Sequence, residues 1–173
     1  MTLAQPYRLT ALAGLALALM GLVGCALDSE SEVRAQLATW VNLGETHYFD
    51  SSMGCTAGLF AVEDTRLRSF ITKVRSVDSG LKAIEEDKTV AFDIAGQSPS
   101  LVSEAVMTAD LPKGLGLLSS GVAAKDCMKD GLKRAYLTTL NSAQAVMIYD
   151  AKTNAVAILD RINKRVFFAR GDV

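Results

Sequence analysis

The sequence has little histidine, no Cys-x-x-Cys motif and no Gly-x-Ser-x-Gly elbow. His47 is the only histidine among 173 residues, and neither Cys-x-x-Cys nor Gly-x-Ser-x-Gly occurs. A zinc site needs several ligands at suitable spacing, a thioredoxin-like site needs the cysteine pair, and an α/β-hydrolase needs the serine elbow. We therefore expect no metal, no cofactor and no enzymatic activity.

An excess of positive charge is also missing. The chain has 18 basic and 19 acidic residues, and Arg8 is the only charged side chain in residues 1–24. The remaining 17 basic and 19 acidic residues give a formal charge of −2. General nucleic-acid binders have a clear basic excess, so we expect no nucleic-acid partner.

About 150 residues suffice for one domain with an adequate core.

The N-terminal segment predicts export. An uncharged run, Leu9–Leu27, follows Arg8 and precedes the acidic residues Asp28, Glu30 and Glu32. Positive charge before an apolar run and negative charge after it place the N-terminus in the cytoplasm and the following chain outside. We therefore expect residues 28–173 to lie outside the cytoplasm.

The apolar run ends in Leu22-Val23-Gly24-Cys25, which resembles a bacterial lipobox. The resemblance implies a diacylglyceryl group on the Cys25 sulfur, cleavage before Cys25 and a cell-envelope protein whose domain faces the periplasm. Two or three acyl chains hold a domain stably at a membrane. Two alternatives stay open: Leu9–Leu27 could span the bilayer uncleaved, or cleavage at Gly24-x-Ala26 could release the protein.

Lipid on Cys25 would leave Cys55 and Cys127 as a pair. In an oxidising compartment we expect these two cysteines to form a disulfide. Such a bond would close a loop of about 73 residues and stabilise the fold by roughly 4 kcal/mol on the chain-entropy model.

Hydrophobic periodicity predicts an α+β domain in which about five helices pack on an antiparallel sheet. Ser29-x-x-Glu32 has the spacing of a capping box and begins a first helix that we expect to end at Gly44. Further helical patterns cover residues 67–74, 81–84, 101–109, 112–126 and 128–136, and strand patterns cover 47–49, 55–62 and 89–94. We expect the strand at 89–94 to have one buried face.

The clearest β region is C-terminal. Residues 145–150, 155–161 and 165–170 are separated by loops short enough to form a three-stranded meander. Its strands are apolar on both faces, so we expect the sheet to be covered on both sides. The chain is thus divided into a signal peptide or anchor (1–24), a tether with the first helix (25–44) and a single extracytoplasmic domain (45–173).

Two groups of basic residues are candidates for a surface contact. Lys125, Lys129 and Lys133 recur at helical spacing. The second group lies at the meander and contains Arg161, Lys164, Arg165 and Arg170. An ordinary solvated face explains such groups, and contact with anionic headgroups or an acidic partner is the alternative.

The stretch that runs from Asp28–Arg34 to Cys55–Phe60 resembles a family of membrane-tethered alphaproteobacterial proteins, which implies membrane attachment and no particular activity. Helices followed by a three-stranded meander are also similar in order to small outer-membrane assembly lipoproteins. We predict a non-catalytic membrane-anchored protein that acts through an envelope partner. The alternatives are a small periplasmic hydrolase that uses His47 with Ser51 or an aspartate, and a purely structural envelope lipoprotein.

Overall fold

The structure is a computed structural model that describes residues 27–171. Five α-helices and seven strands lie within this range, and Ala124–Cys127 forms a 3-10 turn. In chain order they are α1 (Glu30–Ala38), β1 (Leu43–Ser51), β2 (Cys55–Val62), β3 (Thr72–Val74), α2 (Val77–Glu85), β4 (Val90–Phe92), α3 (Pro99–Ala109), α4 (Leu111–Ala123), α5 (Asp130–Leu140), β5 (Val146–Asp150), β6 (Ala155–Asp160) and β7 (Arg165–Gly171). The predicted α+β class is confirmed.

All seven strands form one sheet in the order β1-β2-β7-β6-β5-β4-β3. The predicted meander β5-β6-β7 is confirmed. Its two tight turns place Asn154 and Lys164 at positive φ, the geometry that matches the twist of the flanking strands. One pair of neighbours, β3 and β4, is parallel. The sheet is therefore mixed rather than wholly antiparallel. The parallel pair arises because α2 carries the chain from the end of β3 back to the start of β4.

Both faces of the sheet are buried, as its apolar strands predicted. Alternate residues of β5 and β6 point to opposite sides: Met147 and Ile158 belong to a core cluster beneath α2–α5, whereas Ile148 and Leu159 belong to a second cluster beneath α1. Residues 27–171 thus form one sheet with a hydrophobic core on each face, so this part of the chain has the core that a domain needs to fold.

The first helix begins where the capping box predicts. Ser29 Oγ accepts from the Glu32 N–H at 3.3 Å, and Glu32 Oε2 accepts from the Ser29 N–H at 2.8 Å. The predicted end at Gly44 is wrong, since α1 ends at Ala38 and Gly44 lies in β1. The apolar pattern continues past the helix because Trp40 and Val41 pack in the second core cluster from a turn. That packing makes α1 part of the folded domain.

The helix predicted at residues 67–74 is absent. Leu67 and Ile71 are buried from an irregular segment, Phe70 is 87% exposed, and residues 72–74 form β3. A helical face would have buried Phe70 with the other two side chains. The single buried face predicted for residues 89–94 is also wrong, because Val90, Ala91 and Phe92 are all buried between the two layers.

The anchor region lies almost wholly before the described residues. Residues 1–24 and Cys25 are outside them, so the predicted signal and lipidation site remain predictions. Within residues 27–171, no helix has both the length and the apolar character needed to cross a membrane.

Candidate functional site

Polar contacts around Asp28 fix the chain where it joins the domain. The Asp28 N–H donates to Ser51 Oγ at 3.0 Å. The Asp28 carboxylate accepts from Thr56 Oγ1 at 2.7 Å and pairs with the Arg170 guanidinium. The Asp28 side chain is only 10% exposed. We call Asp28, Ser51, Thr56 and Arg170 the Asp28 cluster.

Sheet register brings the three partners of Asp28 together. Thr56 in β2 lies opposite Ser51 in β1 and opposite Arg170 in β7. The Ser51 and Thr56 hydroxyl oxygens are 2.8 Å apart. A nearly buried carboxylate is stable here because a hydroxyl and a guanidinium replace the water it loses. The start of the described chain is thus bound to three adjacent strands.

The predicted Cys55–Cys127 disulfide is confirmed, and it lies beside this cluster. Cys55 precedes Thr56 in β2, and Cys127 ends the 3-10 turn after α4. Their Cα atoms are 5.9 Å apart, and both residues are buried. Tyr48 Oη donates to the Cys127 carbonyl at 2.7 Å, while burial and then the nearby Asp50 charge raise the pKa of Tyr48. The tyrosine therefore stays protonated and holds the turn against β1.

Lys125 and Lys129 lie at the same end of the domain as the Asp28 cluster. The Lys129 ammonium lies 5.7 Å from the centre of the Tyr48 ring, within cation–π distance. Lys125 lies in the same 3-10 turn as Cys127, and neither lysine has an ion-pair partner within the described range. Met53, in the turn between β1 and β2, is 70% exposed. These groups together present apolar surface and free positive charge.

The four basic residues of the meander lie at two ends of the sheet. Arg170 belongs to the Asp28 cluster, whereas Arg161, Lys164 and Arg165 lie at the β6–β7 turn. Arg165 and Arg170 are five residue positions apart along β7, a distance of about 17 Å. The four side chains therefore do not form a single surface. Contact through the β6–β7 turn stays a prediction.

Two of the cations at the β6–β7 turn are paired with carboxylates. Arg161 donates two hydrogen bonds to Asp93, both 2.8 Å long, and these bonds lower the pKa of Asp93. Arg165 Nε donates to Asp160 Oδ2 at 2.9 Å. Burial acts to raise the pKa of Asp160, but hydrogen bonds from Asn163 and Arg165 outweigh it and the pKa is lowered. Lys164 is exposed at the tip of the turn.

His47 lies on β1, one of the two edge strands of the sheet in residues 27–171. Its side chain is 44% exposed, and Nδ1 is 3.8 Å from Glu45 Oε1. The Ser51 hydroxyl, which the hydrolase hypothesis would pair with His47, instead contacts Thr56 and the Asp28 N–H. Over residues 27–171 the structure contains no cluster of three or more histidine, cysteine or acidic side chains suited to a metal ion.

Sequence reasoning missed an apolar cavity between α3, α4 and α5. Its volume is about 190 Å³. Side chains from all three helices and from two central strands line it, and Lys125 lies at its rim. The signal in the sequence was a surplus of apolar residues on α4, where Leu115, Leu118 and Val122 remain exposed after folding.

Comparison of the chain with protein-family models, with curated proteins and with solved structures finds no match. The function is therefore inferred from the geometry of the Asp28 cluster and its surroundings.

Proposed function

We propose that this chain is a non-catalytic, membrane-anchored protein of the cell envelope whose extracytoplasmic domain acts through an envelope partner. The observation that carries the proposal is the Asp28 cluster. Asp28 follows Cys25 by three residues and is hydrogen-bonded and ion-paired to β1, β2 and β7. A lipid on Cys25 would therefore hold the domain by a connection of three residues at most.

The length of this connection sets the orientation of the domain. Three extended residues span about 10 Å, so the end of the sheet that carries the Asp28 cluster would lie close to the membrane. Met53, Lys125 and Lys129 are at this end, where an exposed apolar side chain and free cations favour an anionic headgroup layer. The disulfide at the same end supports an oxidising compartment.

The opposite end of the sheet would then face away from the membrane. The β6–β7 turn lies about 17 Å further along the strands and carries the exposed Lys164 beside two ion-paired arginines. Paired arginines keep a fixed geometry, and a free lysine beside them can recognise an acidic group on a partner. This turn is the surface through which we expect the partner to bind.

Photo-crosslinking from two matched positions tests the proposal. A photoreactive amino acid replaces Met53 in one full-length variant and Lys164 in another, each expressed in a diderm bacterium and irradiated in intact cells. We expect adducts with lipid at position 53 and adducts with a reproducible protein at position 164. Equal lipid labelling at both positions would contradict the orientation, and no reproducible protein adduct at position 164 would contradict the partner.

Metabolic labelling with an alkyne-bearing fatty acid tests the anchor separately. We expect the wild-type chain to be labelled and the C25A variant to be unlabelled. The C55A/C127A variant is the matched control, because it removes the other two cysteines and should still be labelled. Full labelling of the C25A variant would refute lipid attachment at this residue.

A further inference from the structure

A close contact between two consecutive helices, α3 and α4, lies next to the cavity between α3, α4 and α5. At Gly114, a Cβ atom would lie 2.3 Å from the Met107 Cα, so only glycine allows α3 and α4 to approach this closely. Two turns further along α4, the space between the helices is open and has a volume of about 190 Å³. The contact at Gly114 therefore fixes one end of a groove whose other end stays unfilled.

The lining of this groove is suited to hydrocarbon. Buried side chains, Leu117, Tyr136, Met147 and Val156, form its floor, and three half-exposed ones, Leu118, Val122 and Leu137, form its rim. The Ser103 hydroxyl, also in the lining, donates to the Pro99 carbonyl at 2.9 Å and so needs no ligand. Apolar cavities of about 150 Å³ stay dry and bind benzene, whereas drug-sized ligands occupy about 300 Å³ or more. The volume fits a stretch of one aliphatic chain.

Charge distinguishes the two ends of the groove. Lys125 lies at the end beyond Val122, and no carboxylate among residues 27–171 pairs with it. Glu104 is the acidic residue of the lining. It lies one turn from Met107, which contacts Gly114 at the end of the groove remote from Lys125. An anionic head group would be attracted to Lys125 and repelled by Glu104, so the charges give a ligand one direction in the groove.

We propose that this groove binds a single-chain fatty acid, with the aliphatic chain between α3, α4 and α5 and the carboxylate beside Lys125. Lys125 is two residues from Cys127, whose disulfide partner Cys55 adjoins the Asp28 cluster. If the proposed orientation holds, the charged end of the groove faces the membrane, which is the source of the fatty acid. The binding itself does not depend on that orientation.

Fluorescence titration of residues 27–173, exported to an oxidising compartment and purified without detergent, tests the proposal. The probe is a dansyl-labelled undecanoic acid below its micelle concentration, and dodecanoate is the competitor. We expect saturable binding of one probe per chain and displacement by dodecanoate. Absence of saturable binding by the folded wild-type domain would overturn the proposal. Because residues 27–173 do not include Cys25, that result would leave the proposed anchor untouched.

Two matched substitutions locate the aliphatic chain. The L137E variant places a carboxylate on the rim at a residue that is 42% exposed, and the I162E variant makes the same change at a 62% exposed residue of the β6–β7 turn. We expect L137E to weaken probe binding about tenfold or more, because the aliphatic chain would remove water from the new carboxylate without giving it a partner. We expect I162E to bind like the wild type. Equal effects of the two variants would overturn the proposed location.

Two further measurements test the position of the carboxylate and the possibility that a second copy of the chain fills the groove. We expect the K125M variant to weaken binding of dodecanoate about fivefold and to leave binding of uncharged dodecanol unchanged. Equal weakening of both ligands, or of neither, would overturn the assignment of the carboxylate to Lys125. Sedimentation equilibrium of the wild type should give a monomer. A dimer that L137E dissociates would show that a second copy fills the groove and would overturn the fatty-acid proposal.

Discussion

Removal of the disulfide should destabilise the domain by a predictable amount. The bond joins residues 72 apart in the sequence, and the C55A/C127A variant opens the loop it closes. On the chain-entropy model a loop of this length restricts the unfolded chain by roughly 4 kcal/mol at 25 °C. The total stability of a domain is about 5–15 kcal/mol, so the loss is a large part of it. We expect the melting temperature to fall by about 8–16 °C.

Urea unfolding followed by tryptophan fluorescence measures this loss. Trp40 is the only tryptophan and is buried in the second core cluster, so its emission should change when the sheet opens. The denaturant slope should rise in the C55A/C127A variant, because an unfolded chain without the cross-link exposes more surface. The wild type in reductant should match the variant, and reductant should not affect the variant. A difference below about 1 kcal/mol between the two proteins would refute the entropic reasoning.

Three further predictions concern single side chains. The D28N variant should lose about 1–2 kcal/mol of unfolding free energy, because the amide keeps a contact with Thr56 but loses the charge that pairs with Arg170. The G114A variant should lose about 1–3 kcal/mol, because the added methyl group would clash with the backbone of α3. For Asp160, whose pKa is lowered on folding, the stabilisation of the wild type over D160N should be complete above about pH 4 and disappear as the pH falls through the folded-state pKa.

D28N and G114A each have a control variant, and a contradicting result is defined for D160N. Urea unfolding of E45Q, which alters an exposed carboxylate on β1, provides the baseline for D28N, and an equal loss in both would contradict the role of the Asp28 cluster. The G131A variant, at a helical glycine with open space around it, is the control for G114A, and the two should differ. A stability difference between wild type and D160N that grows on acidification would contradict the direction of the pKa shift.

Short sequence patterns predicted the structure correctly where the interactions join residues that are close in the chain. The capping box of α1 needs only Ser29 and Glu32, and the meander β5-β6-β7 follows from short loops between apolar strands. The Cys55–Cys127 bond followed from counting cysteines in a chain that the sequence predicts to be exported. In each case the competing structures were few, so composition and spacing decided the outcome.

Non-local packing explains what the sequence did not disclose. Leu67, Phe70 and Ile71 have helical spacing. Leu67 and Ile71 are buried, whereas Phe70 is exposed, so the three side chains do not share one buried face. Asp28 and Arg170 are 142 residues apart, so no local pattern could pair them. The groove depends on how three helices lie on the sheet, and a run of leucines on α4 does not by itself distinguish a core face from a cavity rim.

Intact mass of the protein extracted from membranes, with and without reductant, tests the anchored, extracytoplasmic placement most directly. We predict a chain that begins at Cys25, carries the mass of the diacylglyceryl and acyl groups, and gains two hydrogen atoms when Cys55–Cys127 is reduced. A mass equal to that of the unprocessed chain would contradict lipid attachment. A mass that does not change on reduction would contradict the oxidising compartment.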